Sequence, residues 1–310
     1  MTAIDDLVTE FALHQHGVFS VRDLNRLGVT PPARRHRLDN GRWTPVYERV
    51  YAISGVPLSW RGSLMAACLA GGSTAIASHR AAGALHGFPA MATGAVEITC
   101  RRWRRRQESA LVVHETGAFE LAPRWTVDRI PVTSPARTLL DLGAVCSPTE
   151  VEMGLDFALR TRLVTLPDLQ TLLDDVGRRG RNGTGVLRAI LDERGAQRPT
   201  ESPQETRLVR LLRRNGFTGF VPQLEVRHHG RFVARVDVAF PASRIAVEVD
   251  SYRHHTGREA LIRDSARRNA MVAAGWSVIS VTSSDLDRGA TKVLASLRAA
   301  IATPGDAKTD

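Results

Sequence analysis

The sequence predicts a multidomain protein of α/β and α+β class. Three observations carry that prediction. A length of 310 residues exceeds what a single hydrophobic core usually organises. Stretches of helical period and of strand period alternate along the chain rather than segregating. A polar stretch with two prolines, Arg194-Gly-Ala-Gln-Arg-Pro-Thr-Glu-Ser-Pro203, reads as a boundary between them. The expected organisation is a winged helix-turn-helix over 1–55, an α+β middle domain over 56–195, and a linker over 196–202. An α-β-β-β-α-β core over 203–303 and a disordered tail over 304–310 follow.

In the first segment Ile4, Leu7, Val8, Phe11 and Ala12 recur at helical spacing. Ser20 is a natural N-cap for a second helix through Val21, Leu24 and Leu27, stopped by Gly28. Thr30-Pro31-Pro32 opens a third, because proline is tolerated in the first turn. Trp43 to Ile53 alternates loosely, like a small two-stranded wing. Three short helices and a hairpin give the winged topology. Its third helix carries Arg34, Arg35 and Arg37 as candidate contacts to nucleic acid. The alternative is a solvated basic helix in a winged domain that binds protein.

The middle segment offers helices at Leu64–Leu69 and from Ser78 to Leu85, the second capped by Ser78. Strands are expected at Val96–Cys100 and Ala110–His114. Between them, five arginines surround Trp103 in the run 101–106, either a backbone-gripping loop with one stacking platform or a solvated charged loop. Ser134 and Pro135 begin a further helix. His79 and His86, seven apart, suggest core or capping roles, since no third metal ligand is evident nearby.

In the last segment Ser202, with Glu205 three positions on, starts a helix whose apolar side is Leu208, Val209, Leu211 and Leu212. Strands are expected at 221–228, 231–240, 244–250 and 276–281. Helices are expected at 258–274 and 284–301. The central hairpin runs Phe232-Val-Ala-Arg-Val-Asp237-Val-Ala-Phe240, a Pro-Ala-Ser turn, then Arg244-Ile-Ala-Val-Glu248-Val-Asp250. Centring the turn between Ala242 and Ser243 sets Asp237 opposite Glu248 on one face with Arg235, Ala239, Ala246 and Asp250. The other face is Val236, Val238, Phe240, Ile245, Val247 and Val249, suited to a core. Opposed Cβ atoms lie about 4.5–5.5 Å apart, so two carboxylates there need a proton or a cation. A hard divalent ion, Mg²⁺ or Mn²⁺, with Asp237 and Glu248 as oxygen ligands, answers that need and leaves room for phosphate. A one-residue slip of the hairpin would instead send the two acids to opposite faces.

Around this pair stand further groups suited to phosphodiester hydrolysis. Glu205 is a third carboxylate, Asp250 shares the face of Glu248, and His255 can exchange a proton near neutral pH. Arg267 and Arg268 on the following helix can neutralise phosphate. The candidate catalytic set is therefore Glu205, Asp237, Glu248, Asp250 and His255.

The run Ser202-x-x-Glu205, Arg235-Val-Asp237-Val-Ala-Phe-Pro, Ala246-Val-Glu248-Val-Asp250, His254-His255, Asp264-x-x-Arg267-Arg268 and Gly275-Trp276-x-Val278 carries a resemblance. It resembles the PD-(D/E)xK restriction-endonuclease-like superfamily, and within it a domain-of-unknown-function family allied to very-short-patch-repair endonucleases. The resemblance implies metal at Asp237 and Glu248. The superfamily's lysine position is occupied here by Asp250. Two outcomes stay open, an active Mg²⁺-dependent endonuclease and a nuclease fold that only binds.

The stretches Gly17-Val-Phe-Ser-Val-Arg-Asp-Leu, Arg42-Trp-Thr-Pro-Val-Tyr-Glu-Arg-Val-Tyr-Ala52, Ala77-Ser-His-Arg-Ala-Ala-Gly-Ala-Leu-His-Gly87 and Ile130-Pro-Val-Thr-Ser-Pro-Ala-Arg-Thr-Leu-Leu-Asp-Leu142 are similar to the AbiEi-type antitoxins of type IV toxin–antitoxin systems. That resemblance implies a winged-helix transcriptional regulator that restrains a cognate toxin.

Composition fits these readings. The chain is 43% hydrophobic and 24% charged, ordinary for a globular protein. The net charge is +10, and every basic residue except Lys292 and Lys308 is arginine. An anionic partner, DNA, is expected. Cys68, Cys100 and Cys146 show neither metal-ligand spacing nor a paired framework. No secretory signal and no run of 18 apolar residues is seen, so a cytoplasmic location, no membrane and no small-molecule cofactor are expected.

Overall fold

The computed structural model describes residues 3–104, 110–116, 124–176, 182–194, 200, 202–250 and 258–302. Among the described residues the protein is a mixed α/β chain with three sheets. It divides into two compact units, Met1–Gly154 with Leu163–Ala189, and Leu155–Arg162 with Ile190–Asp310. The linker expected over 196–202 and the tail over 304–310 lie almost wholly outside the described residues.

The first unit begins with helix α1 (Ala3–Leu13), strand β1 (Val18–Ser20) and helices α2 (Val21–Arg26) and α3 (Pro31–Asp39). Strands β2 (Trp43–Tyr47) and β3 (Val50–Ile53) follow. Ser20 and Asp23 cap α2 reciprocally, each side chain taking the other's backbone N–H. Thr30 caps α3, and its prolines occupy positions whose N–H groups would have no helical partner. The short strand β1, not expected from the sequence, pairs with β3 and completes a β1-β3-β2 sheet. Phe19 on β1 and Trp43 on β2 meet edge to face at 5.0 Å over Leu24 and Val8.

Next come α4 (Trp60–Gly71), β4 (Ile76–Ala77), α5 (His79–Leu85), β5 (Val96–Cys100), β6 (Leu111–Glu115), β7 (Arg124–Val127) and β8 (Ile130–Thr133). Their five-stranded sheet has the order β6-β5-β4-β8-β7. Helix α4 is buried along most of its length, and its small residues Ala66, Ala67 and Ala70 let it lie close against Ile98 and Val132. Val18, Val50 and Ala52 belong to that same core, so packing is continuous across the expected boundary at residue 55. Helices α6 (Pro135–Leu142), α7 (Pro148–Arg160), α8 (Leu166–Val176) and α9 (Thr184–Arg194) follow. Ser134 caps α6 through Arg137 N, as its sequence implies.

The second unit holds α10 (Pro203–Arg214), β9 (Val221–His228), β10 (Arg231–Phe240), β11 (Ile245–Asp250), α11 (Arg258–Ala273) and β12 (Ser277–Thr282). It closes with α12 (Ser283–Asp287) and α13 (Thr291–Ala302). The sheet order is β12-β11-β10-β9, with β11 parallel to β12 and the other pairs antiparallel. Val238, Phe240, Ile245 and Val247 pack with Leu208, Val209 and Leu212 of α10 and with Leu294 and Leu297 of α13. Ala239 and Ala246 share a second cluster with Met271 of α11. The two faces of the hairpin therefore separate as its alternation implies, except that Val236 joins the Met271 cluster. Full burial of each large apolar side chain is worth about 1.5–3 kcal/mol.

The single helix expected over 284–301 is two helices. Thr282 and Asp285 cap α12 reciprocally, and the chain then passes Gly289 at φ +74° and Ala290 at φ +47° before α13 starts. A left-handed pair cannot be continued as a right-handed helix. Among the described residues, no helix is long and apolar enough to cross a membrane.

Candidate functional site

The register of the β10–β11 hairpin is the one that aligns the two acids. Phe240 pairs with Ile245, Ala239 with Ala246 and Val238 with Val247. The next position outward would set Asp237 across from Glu248, and there the regular ladder ends. Val249 N–H, which lacks a strand partner on this side, donates instead to Asp237 Oδ2 at 2.8 Å. A carboxylate thus takes the place of a backbone carbonyl, because a half-buried N–H must find an acceptor. Strand β11 stays paired on its other edge, Glu248 with Ser280 and Val249 with Val281. Asp237 and Glu248 are both half-buried.

Glu248 receives its cation from α11. Arg267 Nη2 donates to Glu248 Oε1 and also to the carbonyl of Arg235, the latter at 3.0 Å. Arg267, expected to clamp phosphate, is here turned to the carboxylate, and Arg268 beside it is exposed. The repulsion expected between two opposed acids is relieved by one amide and one guanidinium.

Glu205 enters from α10. Ser202 Oγ accepts its N–H at 3.2 Å, which fixes the start of the helix. Its side chain is only 6% exposed, and Gln223 Nε2 donates to Glu205 Oε2 at 2.6 Å. Gln223 lies on β9 between Pro222 and Leu224, which pair with Val238 and Val236, so its register position faces Asp237. Gln223, Asp237 and Glu248 therefore occupy one row across three neighbouring strands, with Glu205 tied to its end. Gln223 has φ +54°, a strained conformation for a side chain of this kind. The sequence reading did not single it out.

The backbone of Asp250 ends β11, but its side chain and the whole of His255 lie outside the described residues. The oxygen donors of Asp237 and Glu248, at adjoining strand positions and half-open to solvent, fit the preference of Mg²⁺ or Mn²⁺ for a few carboxylates plus water.

On α3, Arg35 is exposed and Arg34 half-buried. Arg37 is a correction to the expected nucleic-acid contacts. It is 6% exposed and its Nε donates to Asp5 Oδ1 at 2.6 Å, with Nη1 on the carbonyl of Ala33 at 2.9 Å. Its guanidinium also stands 5.5 Å from the centre of the Trp43 ring. Arg42 shares the same carboxylate. The helical spacing that pointed Arg34 and Arg35 outward turns Arg37 inward, so it fastens α3 to α1.

A second cluster joins His79 to Glu97 and His114, partners that the seven-residue spacing of His79 and His86 does not reveal. His86 Nε2 donates to the carbonyl of Thr133 at 2.8 Å. His79 instead stacks on His114 of β6, ring centres 3.5 Å apart. His114 Nε2 lies 2.9 Å from Glu97 Oε1, and Glu97 is fully buried in β5. Ser78 does not cap α5 with its side chain. Its Oγ accepts from Thr99 Oγ1 at 2.7 Å and sits 2.9 Å from His79 Nδ1. Burial first, then His114, Arg137 and Arg80, push the pKa of His79 down to about 3, so its ring is neutral. A charged residue in a strand otherwise buried throughout was the available signal. The thiol of Cys68, by contrast, is simply a core group, pushed up to about 12 by burial.

No family model matches the chain. Proteins from two strains of Mycobacterium tuberculosis, each described only as an uncharacterized protein, are 28% identical over 260 residues. The match covers 82% of this chain and 92% of each relative.

Proposed function

We propose that this chain is a DNA-binding protein whose second unit is a nuclease-like site for metal-dependent phosphodiester hydrolysis, in phage defence or DNA repair. The observation that carries the reading is the row Gln223, Asp237 and Glu248, placed where the β10–β11 ladder opens and joined by the buried Glu205. In this reading the α-β-β-β-α-β order is a restriction-endonuclease-like core. A bound Mg²⁺ would polarise the phosphoryl group and acidify a water. Asp237 and Glu248 hold the ion, Gln223 and Glu205 fix the strand end, and Arg268 meets the phosphate backbone. In the first unit, α1, α2 and α3 with the β1-β3-β2 sheet form a winged helix-turn-helix. Arg34 and Arg35 touch DNA there, while Arg37 does not.

A second reading is favoured by the Arg267–Glu248 ion pair and by Asp250 at the position of the superfamily's lysine. It is an antitoxin-like transcriptional regulator, with a cognate toxin as partner, whose nuclease fold no longer cleaves. The two part in one assay. Wild type, Asp237→Asn and Glu248→Ala are incubated with plasmid and with oligonucleotides, with Mg²⁺, with Mn²⁺ or with chelator. Cleavage by wild type alone, and only with metal, supports the nuclease. Retained DNA binding without cleavage under every condition supports the regulator.

A further inference from the structure

We propose that His79, Glu97 and His114 form a binding site for a first-row transition-metal ion, zinc foremost, in the first unit and separate from the hairpin carboxylates. The ligand atoms of the three residues all lie within 4.8 Å of one another. A tetrahedral zinc site with bonds of 2.0–2.1 Å needs its donors roughly 3.4 Å apart. His114 Nε2 and Glu97 Oε1, at 2.9 Å, are already closer than that, and because the His79 and His114 rings are stacked 3.5 Å apart at 16°, binding would turn one ring until both nitrogens point at the ion.

The fold builds this arrangement from both directions. Strands β5 and β6 run parallel, with Thr99 beside His114, so Glu97 lies diagonally across, two residues earlier on the same face. Strand β4 pairs with β5 through Ala77 and Ile98 and then delivers Ser78 and His79 over that face. His79 has φ +50°, a left-handed backbone that is unfavourable for a residue with a Cβ. Strain of this kind persists where the surroundings impose it, and it concentrates at binding sites.

Two of the three ligands, His79 and Glu97, have the supporting contacts that a metal site uses. Metal-bound histidines use their second nitrogen on an acceptor that sets the ring. His79 Nδ1 has the Ser78 hydroxyl at 2.9 Å, and Ser78 in turn is bonded to Thr99. Reversing the hydroxyl direction along that chain gives Nδ1–H a partner and leaves Nε2 to the ion. Glu97 Oε2 is held by the N–H of Arg80 at 2.9 Å, which orients Oε1 toward the histidines. The Arg80 guanidinium stands 3.6 Å from Glu97 Oε1 as a countercharge that the ion would displace; it is 44% exposed and also donates to the carbonyl of Val145. Two imidazoles and one carboxylate form a donor set for zinc rather than for Mg²⁺. His114, 28% exposed, marks the open side where a water completes the coordination.

The test uses the full chain stripped with chelator and dialysed, then titrated with Zn²⁺ against a chromogenic chelator. One tight equivalent is expected, retained in Asp237→Asn and lost in Glu97→Gln and His114→Ala. Absence of that equivalent in wild type overturns the proposal, as does its survival in His114→Ala. Because Glu97 is buried and its variant can misfold, cobalt gives an independent reading. Co²⁺ in wild type should show the intense visible bands of a four-coordinate ion, and His114→Cys should add a sulfur-to-cobalt charge-transfer band. A folded His114→Cys protein without that band overturns the site.

Discussion

Gln223 donates a 2.6 Å hydrogen bond to Glu205, and both side chains are buried. This contact ties α10 to an interior position of β9 beside the open end of the hairpin. Replacing Gln223 with alanine leaves the Glu205 carboxylate without this donor in a buried place. Loss of about 1–3 kcal/mol is expected. Urea unfolding followed by tryptophan fluorescence should place the Gln223→Ala midpoint clearly below wild type. An unchanged midpoint would mean that the contact does not hold the strand to the helix.

Asp237 has a structural duty distinct from any metal chemistry, since its Oδ2 accepts the N–H of Val249 at 2.8 Å. Asparagine keeps an acceptor oxygen there and removes the charge, whereas alanine removes both. Asp237→Asn should therefore unfold close to wild type, and Asp237→Ala should lose about 1–2 kcal/mol. Both should abolish metal-dependent cleavage. Equal stability of the two variants would show that Val249 is satisfied in another way.

Arg35 and Arg37 lie two positions apart on α3 and should fail in different assays. Arg35 is exposed, so Arg35→Ala should weaken DNA binding and flatten its salt dependence without moving the melting temperature. Arg37 is buried against Asp5 and Trp43. Asp5→Ala, which removes one partner of a buried ion pair and leaves the other charged, should cost about 3–5 kcal/mol. Calorimetric melting alongside fluorescence anisotropy with duplex DNA separates the two effects. A weaker DNA affinity in Asp5→Ala at full stability would contradict the structural role given to Arg37.

The hairpin register was legible because the Pro-Ala-Ser turn is short and the alternation on either side is strict, and a period of two leaves little freedom. The role of Gln223 was not legible for a related reason. Counting back from the His229-Gly230 turn puts Asp237 beside Pro222. The β-bulge between Phe232 and Ala234 shifts the pairing by one and brings Gln223 into line. No residue in that stretch announces a bulge. Arg37 misled because a run of basic residues hides which one the helical turn buries. Glu97 and His114 escaped notice because parallel pairing of β5 and β6 is a non-local fact that local spacing does not carry. Gly289 was legible in principle as a helix stop, but the apolar spacing on either side of it runs in phase.

The half-buried His86 sets a direction for acid sensitivity. Desolvation lowers its pKa from 6.5, outweighing the opposing hydrogen bond to the Thr133 carbonyl. Phe88 and Trp125 stand beside its ring, with centroids 5.7 and 6.1 Å away. In the folded chain His86 stays neutral at a pH where the unfolded chain has begun to take up a proton. The unfolded state then binds more protons, so stability falls as pH drops below about 6.5 and stops falling once the folded ring itself is protonated. The slope from this one group is at most about 1.4 kcal/mol per pH unit. His86→Gln keeps a donor near Thr133 and removes the titration. Denaturation midpoints measured from pH 7.5 down to about 5 should fall less steeply in His86→Gln than in wild type. Parallel slopes in the two proteins would mean that His86 is protonated equally well in both states.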